Sequence, residues 1–142
     1  MSSSLRIFVT DRDPDYLDIE ILATSGRFSG AAHVYADLDE LTRFGKLLSG
    51  FPSGQGDERR YEFGTKDAGI AGGYCALRFY CKDSAGHAVL DVEFEDDDQI
   101  YSEASATFTM SPVCAAGMDR FIAQIESIRR AGSREAKLEI PE

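Results

Sequence analysis

Hydrophobic and polar residues alternate along most of this chain, and the period switches between two and about three and a half. Residues 5–10 (LRIFVT) read as a short strand. In 16–24 (YLDIEILAT), Leu17, Ile19, Ile21 and Ala23 share one face and Asp18 and Glu20 the other, as in a half-buried strand. Gly26 punctuates, and 27–35 (RFSGAAHVY) gives a third strand with Phe28, Ala32 and Val34 on one side. The period then lengthens. Leu38, Leu41, Phe44, Leu47 and Leu48 recur at three and four, the apolar stripe of an amphipathic helix. Asp37, with Glu40 three positions on, makes a capping-box-like start, and Gly50 and Pro52 stop the helix. Residues 52–58 (PSGQGDE) read as a mobile loop by composition. Strands return at 59–64, 74–82, 87–95 and 100–110. Ser111-Pro112 predicts a second helix, with Pro at its first position, a core stripe of Met118, Phe121, Ile122, Ile125 and Ile128, and an end at Gly132. Residues 133–142 read as a polar tail with a short edge strand at 137–140.

The strongest local prediction is a hairpin. Cys75, Leu77, Phe79 and Cys81 face one way, and Ala88, Leu90, Val92 and Phe94 must face the same way. Leu77 then opposes Val92 and Phe79 opposes Leu90, which leaves Asp83–Gly86 as a four-residue loop with Gly86 free to take positive φ. The order βββ-α-ββββ-α predicts one α+β domain over residues 1–142. Its expected form is a single curved antiparallel sheet of about seven strands with both helices packed on one face.

Composition narrows the function classes. A chain of 142 residues with 43% hydrophobic and 28% charged positions is long enough for one packed core. No apolar run approaches the ~20 residues that span a bilayer, and MSSSLRIFVT lacks the apolar core of a signal peptide, so a cytoplasmic location is expected. Three cysteines, an odd number, fit reduced thiols. Cys75 and Cys81, six residues apart on one strand, would lie ~20 Å from each other, too far to bridge. The net charge of −10 disfavours nucleic acid and anionic membranes and suits a basic partner.

Motifs for chemistry are sparse. DRDPD at 11–15 opens like a Ca²⁺ loop, but Tyr16 and Leu22 stand where Gly and Glu are required, so an Asx-type turn is the better reading. GTKDAGIAGG at 64–73 lacks the Lys-Ser/Thr end of a phosphate loop and precedes a strand. His33, His87 and the cysteines show no metal-ligand spacing, so no metal and no cofactor are expected. Cys114, near a helix start, comes without a nucleophile signature, and no catalytic residue is assigned.

One feature carries charge of a single sign. Between Lys82 and Arg120 there is no Lys or Arg, while the same 37 positions hold nine carboxylates. On the hairpin Asp91, Glu93 and Glu95 share the solvent face, with Arg78 opposite Asp91 and with Ala76 and Tyr74 opposite the two glutamates. Asp96, Asp97 and Asp98 follow as an acidic loop, and Glu103 lies at the margin. Such a field steers a basic partner and raises its association rate; a solvated acidic face with no partner is the bland alternative.

Three stretches, YLDIEILATSGRFSG…VYADLDELTRFGKLL, ALRFYCKDSAGHAVLDVEF and MDRFIAQIESI, together resemble the WapI-type bacterial immunity proteins and neighbouring bacterial families, over roughly residues 16–128. The resemblance implies a cytoplasmic bacterial protein that neutralises a cognate secreted toxin by covering it. Asp91, Glu93, Glu95, Asp96, Asp97, Asp98 and Glu103 are then the expected contacts to a basic partner. Two rivals stand beside this reading: a small-molecule site or enzyme in the concavity of the sheet, using His33, His87 or Cys114, and a module that dimerises through an exposed strand edge.

Overall fold

A computed structural model of the chain describes residues 3–65, 73–82, 87–97 and 103–141; of Asp96, Asp97 and Glu103 it describes the backbone. The order is β1 (Ser3–Arg12), β2 (Leu17–Ser25), β3 (Phe28–Ala36), α1 (Glu40–Leu48), β4 (Glu58–Gly64), β5 (Tyr74–Cys81), β6 (Ala88–Asp97), β7 (Glu103–Met110), α2 (Ala115–Arg129) and β8 (Glu135–Ile140). The α+β class is as expected, but the single seven-stranded sheet is not. The strands divide into two antiparallel sheets of four, β3-β2-β1-β8 and β4-β5-β6-β7. The reason is that α1 separates β3 from β4, and β4 pairs forward with β5. The edge strand expected at 137–140 starts at Glu135, pairs with β1 and buries Ala136, Leu138 and Ile140. It supplies the eighth strand.

The sheets meet along β3, which contacts β4, β5 and β6. Glycine at position 30 permits this approach. A Cβ there would lie 3.0 Å from ring carbons of both Phe94 and Phe108. On the far side the helices close the core: α2 packs on β8 and on α1, and α1 on β4. Phe44 of α1 joins these layers. It is fully buried, and its ring centroid lies 5.1, 5.0 and 6.1 Å from those of Tyr61, Phe63 and Phe121. Tilted and edge-to-face contacts of this kind add to the area that the rings bury.

Both helices start later than the sequence pattern suggests. The side chain of Asp37 accepts from the Asp39 N–H (2.8 Å) and makes an Asx turn, and α1 begins at Glu40. Residues 111–114 precede α2, because Val113 donates its N–H to Ala88 (3.0 Å) and Cys114 becomes the N-cap. DRDPD is a turn closed by Asp13 N–H to Tyr16 O (3.0 Å), with Asp15 N–H on the Asp13 side chain (3.1 Å). The loop expected to be mobile at 52–58 is tied. Asp57 accepts from the Ser53 N–H and hydroxyl, both at 2.8 Å, and from Arg59 at 2.7 and 2.9 Å. Arg59 also donates to the carbonyls of Leu47 (2.7 Å) and Ser49 (3.0 Å), so it joins the C-terminal end of α1 to β4.

Two substitutions test this packing. Phe44→Ala is expected to cost about 3–5 kcal/mol, because three rings lose their common contact. Gly30→Val is expected to cost about 1–3 kcal/mol by overpacking against Phe94 and Phe108. Urea titrations, compared at unchanged slope, check both.

Candidate functional site

The β4-β5-β6-β7 sheet sends Phe63, Cys75, Leu77, Phe79, Leu90, Val92 and Phe94 into the core. The period of two then turns Asp91, Glu93 and Glu95 to the other face. Leu77 pairs with Val92, Phe79 with Leu90, Arg78 with Asp91, Ala76 with Glu93 and Tyr74 with Glu95. This is the register expected from the sequence. The turn expected at Asp83–Gly86 lies outside the described residues.

The neighbouring strands complete the outward face in rows. Arg60, Arg78, Asp91 and Thr109 form one row; Glu62, Ala76, Glu93 and Thr107 the next; Gly64, Tyr74, Glu95 and Ser105 the third. The two arginines of the first row are matched by Asp91 within it and by Glu58 beside it on β4. Asp91 accepts from the Thr109 hydroxyl (2.9 Å) and from Arg78 Nη1 (3.3 Å). Arg78 also pairs with Glu58 and lies 3.9 Å over the Tyr80 ring, and Arg60 bonds Glu58 at 2.9 Å. The Arg78 guanidinium, and then that of Arg60, hold the Glu58 carboxyl below its ordinary range.

Beyond this row the face turns acidic. The Tyr74 hydroxyl donates to Glu62 (3.0 Å). Its phenol is pushed up to about 12, first by burial, then by Glu62 and by the charges of Glu93 and Glu95. Three carboxylates from two strands therefore act on one ring. Ala76, small and half-buried, lies between Glu62 and Glu93, and a groove of about 520 Å³ runs over it from Tyr74 to Arg78 and Thr109.

The expected contact residues separate accordingly. Asp91, Glu93 and Glu95 come together on this face. Asp97 continues their backbone parity and pairs with Glu103, whereas Asp96 pairs with Ala104 and follows the parity of the core residue Phe94. Asp98 lies outside the described residues. Glu58 and Glu62, which sequence reasoning missed, join the face through β4. Their signal was the alternation of 58–64 around Tyr61 and Phe63, but the pairing of β4 with β5 is needed to place them.

The other candidates are scattered. His33 pairs with Asp18 on the outer face of the β3-β2-β1-β8 sheet. His87 is exposed, and its carbonyl accepts from the Lys82 N–H (2.7 Å). Cys114 sits at the start of α2. Cys75 of β5 is buried in the core, and that burial pushes its thiol up, away from reactivity. Among the described residues no three His, Cys, Asp or Glu side chains group as a metal site, and no helix is long and apolar enough to cross a membrane. Comparison of the chain with family models, curated proteins and solved structures gives no match.

The paired carboxylates set an acid limit on stability. Asp57 is held below the ordinary carboxylate range, first by its hydrogen bonds from Arg59 and then by those from Ser53. A carboxyl with a lowered folded-state pKa stabilises the fold above its unfolded value, near 4, and that contribution disappears as pH falls through the folded value. Asp57→Asn is therefore expected to cost about 1–3 kcal/mol at pH 7. The deficit relative to the unsubstituted chain should shrink as pH is lowered below about 4, as read from urea midpoints across that range.

Proposed function

We propose that this chain is a non-enzymatic binding protein of the immunity type, acting in the bacterial cytoplasm, which neutralises a basic toxin by covering it with the outward face of the β4-β5-β6-β7 sheet. The observation that carries this reading is the arrangement of Asp91, Glu93 and Glu95 at alternate positions of β6, with Glu62 across Ala76, on the side of the sheet that faces away from the core. A field of one sign next to a matched row of arginines and carboxylates supplies both attraction and register. Occlusion requires no bond to be made or broken by this chain. The resemblance to WapI-type immunity proteins points the same way, through the strand, helix and hairpin order quoted above.

The test is to mix the purified chain with the toxin domain of a secreted protein encoded beside its gene. A complex is expected whose association rate falls steeply with salt. Glu93→Lys with Glu95→Lys is expected to slow association at least about tenfold at low salt and to leave thermal unfolding nearly unchanged. Association at an unchanged rate would remove this face from the reading.

The groove over Ala76 favours one second reading, a small polar ligand seated between Tyr74 and Arg78. Ala76→Leu separates the two, because it fills the groove and leaves every carboxylate in place. Loss of small-ligand binding alone would identify the groove as the site, whereas the toxin complex is expected to lose less than about tenfold in affinity.

A further inference from the structure

Three arginines of this chain each lie on an aromatic ring with a carboxylate alongside. Arg59 is 5.9 Å over the Phe51 ring, and its Nε and Nη2 donate to the two Asp57 oxygens at 2.7 and 2.9 Å. Arg6 is 4.5 Å over the Phe8 ring, and its Nε donates to Glu135 at 2.8 Å. Arg78 is 3.9 Å over the Tyr80 ring, and its Nη1 donates to Asp91 at 3.3 Å. A planar guanidinium satisfies both neighbours, the ring through its face and the carboxylate through its N–H groups.

The same parts occur a fourth time with no arginine or lysine over the rings among the described residues. Tyr16, in the turn between β1 and β2, is 38% exposed, and Tyr35 near the end of β3 is 52% exposed. Their ring centroids are 6.0 Å apart in an edge-to-face pair. The β-ladder sets Asp11 opposite Asp18 and Asp18 opposite Tyr35, and Asp13 lies in the turn that carries Tyr16. The Tyr16 phenol is pushed up by the charge on Asp13 first, then by slight burial, and then by Asp11 and Asp18, so the field of all three carboxylates reaches this ring. Among the described residues no arginine or lysine lies over either ring. Arg12, close by in sequence, donates instead to the Ile128 carbonyl at the end of α2 (2.9 Å). His33 stands beside Tyr35, 5.3 Å between centroids, and its Nε2 is taken by Asp18. Tyrosine is enriched at interface centres, and the carboxylates around this pair complement a cation.

We propose that the Tyr16–Tyr35 pair, framed by Asp11, Asp13 and Asp18, is a second docking surface whose occupant is an arginine side chain of a basic protein partner. The proposal rests on the basic-partner reading but not on the β6 face, since it lies on the other sheet. Arginine is favoured over lysine because stacking combined with two-pronged carboxylate pairing needs a planar cation, as for Arg59 between Phe51 and Asp57.

The experiment titrates the full chain, with ¹³C-labelled tyrosine rings, with an oligoarginine peptide and with an oligolysine peptide of equal length at low salt. The ring signals of Tyr16 and Tyr35 are expected to shift with oligoarginine, and the double variant Tyr16→Ala, Tyr35→Ala is expected to weaken its binding roughly tenfold. Tyr16→Phe with Tyr35→Phe keeps the ring faces and is expected to bind like the unsubstituted chain, which separates loss of the rings from loss of fold. Glu93→Gln with Glu95→Gln should leave the Tyr16 and Tyr35 shifts in place. Undiminished oligoarginine binding by the double alanine variant, or equal dependence of oligolysine on the two rings, would overturn the docking surface and leave the basic-partner reading standing. No binding of oligoarginine by the unsubstituted chain would overturn both.

Discussion

The pairing of β5 with β6 governs much of this structure. Leu77, Phe79, Leu90, Val92 and Phe94 enter the core between two sheets and two helices, and only one register puts all of them there. A slip of one residue would turn Asp91, Glu93 and Glu95 into the core and expose three large apolar side chains in their place. Burying three carboxylates without partners costs far more than any gain available at the surface. The outward position of the acids is thus a by-product of the hydrophobic pattern, and so is the line of small and polar residues, Ala76, Thr107 and Thr109, that leaves a groove beside them.

That explains what could be read before the structure and what could not. The hairpin register follows from local facts, namely two alternating strands and a short connection, and every cross-strand pair expected between residues 74 and 95 occurs. The split into two sheets rests on long-range facts. Strand β8 finds β1 across nearly the whole chain, where Arg6 bonds Glu135, and no pattern in EAKLEI names its partner. The helix starts were displaced for a related reason. Asp37 could cap α1 or make an Asx turn before it, and Pro112 could open α2 or precede it; the hydrogen bonds from the Asp39 and Val113 N–H groups decide, and both depend on the fold. At the candidate site Asp91, Glu93 and Glu95 were legible from alternation alone. Glu58 and Glu62 were not, because their membership needs the β4 register. The Tyr16–Tyr35 pair escaped for the same cause, since nineteen positions of chain are brought together by a β2–β3 hairpin.

Most arginines of this chain are held by its own carboxylates and carbonyls. Arg6, Arg43, Arg59, Arg60, Arg78, Arg129 and Arg130 all pair with carboxylates of this chain, and Arg12 is bound to a helix-end carbonyl. Three of these pairs join separate strands, β1 to β8, β4 to β5 and β5 to β6, and the others are local. The exposed ones contribute little to stability individually, because water and salt screen them. Their larger effect is to occupy guanidinium groups. With 15 basic and 25 acidic side chains, and eight arginines bonded within the chain, the charge left for an approaching molecule is mainly carboxylate. On the proposed reading, a docking cation would meet rings and carboxylates of the kind that hold the chain's own arginines. Such docking would give the two outer faces a common recognition chemistry although they share no strand.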